Sequence, residues 1–255
     1  MEQSGDHGAL SRSVSSFDGI SVHYDSYPSP SRSAVVIVPG FWRTRRHPSM
    51  IRLAGLLQGI GYGVSIVDVR GHGDTAGTYG FNRHEHEDVA AVVRDLSLRD
   101  GTTHVVILGL SVGGSIAVST AARNDLPLCG LILVSPVAEL SKVVPRLNPF
   151  TMHRHIAFRQ AFDRPRFDWK FSTSPKLRAT EDICRVHVPV SLIHVRNDWL
   201  VSHRNSELLY AAANEPKEIH LLEIAGNYHA DRVFGVAPDR IDPIVTDFLG
   251  RTLPK

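Results

Sequence analysis

The sequence predicts an α/β fold: a sheet of about eight mainly parallel strands with helices on both faces and a small inserted cap. Two observations carry that expectation. Short apolar runs suited to buried strands recur along most of the 255 residues, and longer stretches with helical spacing separate them, which is the pattern of βαβ units. The rhythm lapses only from 139 to 185, where Pro145, Pro149, Pro165 and Pro175 sit among aromatic residues. The expected organisation is one core built from 1–138 and 186–255, with 139–185 as the cap.

The elements follow in order. Ser15–Phe17, the turn-forming pair Asp18-Gly19 and Ile20–Tyr24 read as an opening hairpin, preceded by a Ser/Gly-rich dozen residues expected to be mobile. Ala34–Val38 is a continuous apolar strand ending at Pro39-Gly40. Pro48–Ile60 carries Ile51, Leu53, Ala54, Leu56, Leu57 and Ile60 at helical spacing. Val64–Val67 is the next buried strand, Glu85–Leu98 a second helix, and Thr103–Leu108 a Val/Ile-rich strand suited to burial on both faces. A small-residue helix runs to Ala122, and a strand follows at Leu128–Val134. After the lapse come the strand Val190–Val195, a helix near Arg204–Ala213, the strand Glu218–Ile224 and a closing helix within Asp239–Leu249.

Bulk properties exclude several classes. Hydrophobic residues at 42% and charged residues at 21% exclude a disordered or fibrous chain. A formal charge of +2 gives no general case for nucleic-acid binding, so any argument for a polyanion must be local. Met1–Leu10 is polar and holds Glu2 and Asp6, unlike a secretory leader. No stretch approaches the roughly 20 apolar residues of a membrane span, and the expected compartment is the cytoplasm. Cys129 and Cys184 lie far apart in apolar surroundings and are expected to be buried, reduced thiols.

The chemistry centres on Gly109-Leu110-Ser111-Val112-Gly113, entered directly from the Val/Ile-rich strand and left by a helix. That strand-turn-helix context is what a nucleophile elbow requires: the turn is so sharp that only small residues fit around the serine, and its hydroxyl projects. A serine hydroxyl is a poor nucleophile until a base removes its proton, so a histidine held by a third group must come close. Asp198 directly follows the strand Val190–Val195, and His229 follows the last strand, in the chain order serine, acid, histidine. The competing acids Asp182 and Glu139 do not directly follow a buried strand. Of the competing histidines, His220 lies inside a strand and His203 at a helix start. The tetrahedral intermediate needs two backbone N–H donors, for which Val112 and Phe41 are placed, with Gly40 letting the chain turn towards the site.

The series Val38-Pro39-Gly40-Phe41, Asp68-x-Arg70-Gly71-His72-Gly73, the Ser111 elbow, Asn197-Asp198 and Gly226-x-x-His229 resembles the α/β-hydrolase superfamily over nearly the whole chain. It departs in having Pro39 where many members carry His and Thr75 where Ser is usual, and the first departure bears on the shape of the oxyanion loop. Gly40-Phe41-x-Arg43, Asn197-Asp198-Trp199-Leu200-Val201 and His229-x-Asp231 are similar to the acyl-transferases of bacterial luminescence systems, thioesterases that release myristate from acyl carrier protein. The resemblance implies a serine hydrolase working through an acyl-enzyme, in the first place an acyl thioesterase or acyltransferase and in the alternative a carboxylesterase or monoglyceride lipase. A non-catalytic binding protein on the same fold is the alternative from another class. No metal or organic cofactor is expected.

Other features weigh less. His84-x-His86-x-Asp88 superficially matches a binuclear zinc pattern, but Val89 stands where a further His is needed, and an acid-rich helix start is the better reading. Phe150, Phe158, Phe162, Phe167, Trp169 and Phe171 are expected mainly to pack the cap on the core, with one or two left to line an acyl pocket. Lys142, Arg146, Arg154, Arg159, Arg164, Arg166, Lys170, Lys176 and Arg178, with Arg43, Arg45 and Arg46, form either a solvated face or a surface that steers coenzyme A or acyl carrier protein.

Overall fold

The structure is a computed structural model that describes residues 8–139, 165–166 and 179–254. β1 (Leu10–Ser15), β2 (Ser21–Tyr27), β3 (Ser33–Val38), β4 (Gly63–Asp68), β5 (His104–Leu110), β6 (Leu128–Val134), β7 (Val190–Val195) and β8 (Lys217–Leu222) form one sheet. Their spatial order is β1-β2-β4-β3-β5-β6-β7-β8. β2 is antiparallel to both β1 and β4, and every other pairing is parallel. The α/β-hydrolase expectation of a mainly parallel eight-stranded sheet is met.

Side-chain alternation along the central strands builds two apolar layers. Val35 and Ile37 of β3, with Val106 and Leu108 of β5, pack with Met50, Leu53 and Leu57 of α1 (Pro48–Gly59) and Ile241, Val245 and Phe248 of the closing helix. Val36, Val38, Val105 and Ile107 point the other way. They meet Val89, Val92 and Val93 of α2 (Glu85–Asp100), Ile116 and Ala117 of α3 (Val112–Ala121), and the cluster that includes Leu209 of α4 (Arg204–Ala212). Both faces of the central strands are thus covered, which is why their sequences are continuously apolar. Burying each such Val, Ile or Leu contributes about 1.5–3 kcal/mol.

Most boundaries fall within two residues of expectation, and the larger or more telling differences are at β1, β8 and the closing helix. β1 begins at Leu10, inside the segment expected to be mobile, because its residues pair with β2 from Leu10↔Ser26 to Ser15↔Ser21 and Ser11 Oγ donates to Asp25 at 2.6 Å. The hairpin turn therefore spans Ser16–Ile20, closed by Ser16 N to Ile20 O at 2.8 Å. β8 ends at Leu222, where its neighbour β7 ends at Val195 and no further ladder is available. The closing helix α5 (Pro238–Thr252) is longer at both ends than its apolar stripe.

The cap expected over 139–185 lies outside the described residues except for Glu139, Pro165, Arg166 and 179–185. Its aromatic residues, and its basic residues other than Arg166, likewise fall outside them. Ala179 and Ile183 are buried with the α2–α3 layer. The expectation of two buried thiols is corrected: both cysteines are free, but Cys184 is exposed on a surface turn and Cys129 is half-buried near the start of β6. Among the described residues no helix is long and apolar enough to cross a membrane.

Candidate active site

β5 delivers Ser111 into a turn that α3 leaves at once. Ser111 has φ 56° and ψ −122°, a conformation side chains rarely adopt, and it is held there by its N–H donating to Val134 O at 2.9 Å. Holding a non-glycine residue in such a region costs on the order of 1–3 kcal/mol. The flanking glycines are a steric requirement. A Cβ at Gly113 would lie 2.2 Å from Val38 O, and one at Gly109 would lie 2.6 Å from Gly113 O.

The loops after β7 and β8 bring the other two side chains to this point. His229 Nε2 is 2.8 Å from Ser111 Oγ, and His229 Nδ1 is 2.7 Å from Asp198 Oδ2. With the ring proton on Nδ1, the imidazole donates to Asp198 and accepts from the Ser111 hydroxyl. The Asp198 side chain is fully buried and its Oδ1 accepts from the N–H groups of Leu200 and Val201, each at 2.9 Å. Burial acting alone would raise the Asp198 pKa, but the charge of His229 and hydrogen bonds from His194 and His229 outweigh it and hold the carboxyl far below the usual range. The group is a fixed negative charge.

His194 was not singled out by the sequence. It lies within β7, accepts at Nδ1 from Ser206 Oγ at 2.7 Å and donates from Nε2 to Val201 O at 3.0 Å, with Asp198 Oδ2 3.5 Å away. A polar residue inside the apolar run Val190–Val195 was the available signal, since buried polar groups require partners.

Gly40 brings the β3 loop against the elbow: a Cβ there would be 3.1 Å from both Leu110 O and Ser111 Cβ. The loop turns back through Arg43 N to Gly40 O at 3.0 Å, and the Phe41 ring packs among Trp42, His72, Tyr79 and Phe81. Val112 is the first residue of α3, where N–H groups have no acceptor within the helix. Val112 thus directly follows Ser111, and Phe41 follows the glycine that packs against it.

The competitors lie elsewhere. Asp182 accepts from Ser119 Oγ, His203 Nδ1 is 3.1 Å from Arg196 O, and His220 is 3.3 Å from Glu218. Glu139 lies beside Asn205, its N–H 3.5 Å from Asn205 Oδ1. In the His84–Asp88 stretch, Asp88 faces Arg70 at 2.6 Å and Ser16 Oγ at 2.8 Å. Among the described residues no group of three metal-ligating side chains converges.

The cations after the oxyanion loop divide in a way that corrects the reading of them as one basic surface. Arg45 is buried and bonds Asp68, Asp25 at 2.9 Å and Asp74 at 2.6 Å. Burial acting alone would pull its pKa down; the three carboxylates outweigh that and keep it charged. Arg43 pairs with Asp231 at 3.1 Å, and Arg46 alone is exposed, 3.1 Å from Asp74. Arg166 docks on the 70–79 loop, its backbone bonded to Gly71 and Tyr79 and its guanidinium to the carbonyls of Thr75 and Gly77.

A family model described as serine aminopeptidase, S33, matches residues 29–175. The lysophosphatidylserine lipase ABHD12 of Macaca fascicularis is 25% identical over 247 residues, covering 91% of this chain and 59% of that protein. The chain thus spans about three fifths of the length of that curated relative. Among solved structures, an esterase of Pyrococcus furiosus superposes with a TM-score of 0.78 at 20% identity, covering 96% of this chain and 93% of that one. An esterase of Rhodococcus sp. gives 0.68 at 18% identity, covering 95% and 99%; these two likenesses establish the fold. With more than half of its length matched, the chain belongs to the serine aminopeptidase S33 family, serine hydrolases of the α/β-hydrolase fold.

Proposed function

We propose that the protein hydrolyses carboxylic esters, with Ser111 as nucleophile, His229 as general base and acid, and Asp198 as the group that orients and stabilises the imidazole. The observation that carries this reading is the unbroken chain of contacts from Ser111 through His229 to Asp198, at 2.8 and 2.7 Å. Ser111 Oγ attacks the ester carbonyl as His229 Nε2 takes its proton. The new oxyanion accepts from the N–H groups of Val112 and Phe41, and collapse expels the alcohol, which receives the proton from His229. Water then attacks the acyl-enzyme by the same proton path in reverse. The depressed pKa of Asp198 supports its part: it stays ionised while the imidazole charges.

A lipid-type ester is the favoured substrate class, because the similar proteins are a lysophosphatidylserine lipase and two esterases. Acyl thioesters would enter through the same acyl-enzyme. The carrier reading, with coenzyme A or acyl carrier protein, draws on basic residues that apart from Arg43, Arg45, Arg46 and Arg166 lie outside the described ones; Arg45 and Arg166 are already engaged within the fold, which favours the oxygen ester.

A fluorophosphonate probe is expected to label the protein and to fail on Ser111→Ala, with turnover of a p-nitrophenyl acyl ester falling about 10⁶-fold in that variant. No labelling of the native protein would favour the binding-protein alternative and sink the proposal. Faster cleavage of an acyl-CoA than of an oxygen ester of matched chain length would reverse the preference between the two substrate classes.

A further inference from the structure

A cavity of about 380 Å³, lined by none of the relay side chains, is left unused by the ester chemistry. Its lining interleaves the loops that carry Phe41 and His229 with the start of α1, and includes Arg43, Ser49, Arg52, Tyr228, Asp231 and Arg232. Asp231 is buried, and its Oδ2 accepts from Arg43 Nε at 3.1 Å and from Ser49 Oγ at 2.6 Å. That clamp neutralises Arg43. Arg52 and Arg232 differ, because among the described residues neither has a carboxylate within ion-pair distance. Gly235 makes room for the first of them: a Cβ there would lie 2.8 Å from Arg52 Nη1.

Three guanidiniums against one carboxylate leave the lining with two uncompensated positive charges. Arg52 and Arg232 are both exposed at the rim of the cavity, where an anion can reach them from solvent. Guanidinium forks match the oxygens of phosphate and carboxylate in bidentate fashion, and the charge-assisted bonds that result are about twice as strong as neutral ones. The volume falls within the range of about 300–1,000 Å³ that ligand pockets occupy, enough for a phosphate and the atoms that join it to a chain. Asp231 follows His229 by two residues and Arg43 follows Phe41 by two. The cavity is therefore lined from the same two loops that carry Phe41 and His229.

We propose that this cavity is an oxyanion-binding subsite that takes a phosphate group carried by the ester, so that the preferred substrates are phosphate-bearing acyl esters. The proposal rests on the ester-hydrolase reading for its substrate, but the site itself does not depend on that reading.

Two measurements on the full chain test it. The first compares kcat/KM for a monoacylglycerol phosphate with that for the monoacylglycerol of the same chain, in the native protein and in Arg52→Gln/Arg232→Gln. The native protein is expected to favour the phosphate ester, and the ratio is expected to fall about tenfold or more in the double variant, the loss of one to two charge-assisted contacts. The second follows the thermal midpoint with inorganic phosphate, which is expected to rise in the native protein and not in the variant. Should the double variant fail to fold, Arg232→Gln alone is expected to show both effects at smaller size. An unchanged ester ratio overturns the assignment to a substrate group even if inorganic phosphate still stabilises the native protein. An absent thermal shift together with an unchanged ratio overturns the subsite. If neither ester is cleaved while phosphate still stabilises the native protein alone, the hydrolase reading fails and the oxyanion site stands.

Discussion

Asp68 and Asp198 hold equivalent places in the sheet, at and just beyond the C-terminal ends of the parallel strands β4 and β7, and both side chains are fully buried. Their partners separate them. Asp68 accepts from the backbone N–H of Arg45 at 2.7 Å and from its guanidinium, and so ties the oxyanion loop to the 70–75 turn, where a Cβ at Gly73 would collide with its carboxylate. Asp198 faces an imidazole. A guanidinium keeps its proton at any working pH, so the first pair can only fasten; an imidazole exchanges its proton, so the second can take part in a reaction. One topological position yields an anchor or an acid–base device according to the group opposite.

The sharpest way to break that contrast is Asp198→Asn. An asparagine keeps the Oδ1 acceptor for Leu200 and Val201, but presents a donor to His229 and forces the wrong tautomer on it. Turnover is expected to fall about 10⁴-fold while the denaturation midpoint barely moves. A loss smaller than tenfold would mean that Asp198 is only another anchor. The reciprocal change is Arg45→Met, which strands Asp68 in an apolar setting; it is expected to cost about 3–5 kcal/mol in urea unfolding. Native-like stability in that variant would remove the anchoring role.

His72 sharpens the comparison, because it is a buried imidazole without a carboxylate. Its Nε2 has no partner among the described residues, and burial pushes its pKa down to about 4. The unfolded chain, with a value near 6.5, takes up the proton first. The contribution is therefore whole above about pH 6.5 and declines as pH falls towards 4, by about 3 kcal/mol across that window. In His72→Phe the fall in urea midpoint between pH 7 and 5 is expected to shrink, whereas equal slopes in both proteins would exclude this residue as the cause.

The relay was legible because each member announces itself locally. Ser111 follows a buried strand within a glycine frame that only a sharp turn requires, and Asp198 and His229 each follow a later strand in the order this architecture imposes. The fastening network was not. Arg43, Arg45 and Arg46 look alike as a basic run, and nothing local reveals that the middle one enters the interior to meet carboxylates 20 to 29 positions away. Charge is written in the chain, but neutralisation depends on which strands the sheet sets side by side. β1 escaped for a related reason: its polar alternation reads as a loose leader until β2 supplies the ladder and Arg12 finds Asp100 at 2.6 Å.

The backbone at Ser111 sets a limit on what can stand there. Glycine would relax that dihedral and alanine would fit it no worse than serine, yet both abolish a hydroxyl; threonine keeps the hydroxyl but adds a β-branch, which makes a positive φ costlier still. Local comfort and reactivity thus oppose each other at one residue, and the surrounding sheet, through the bond from Ser111 to Val134, decides the matter in favour of reactivity.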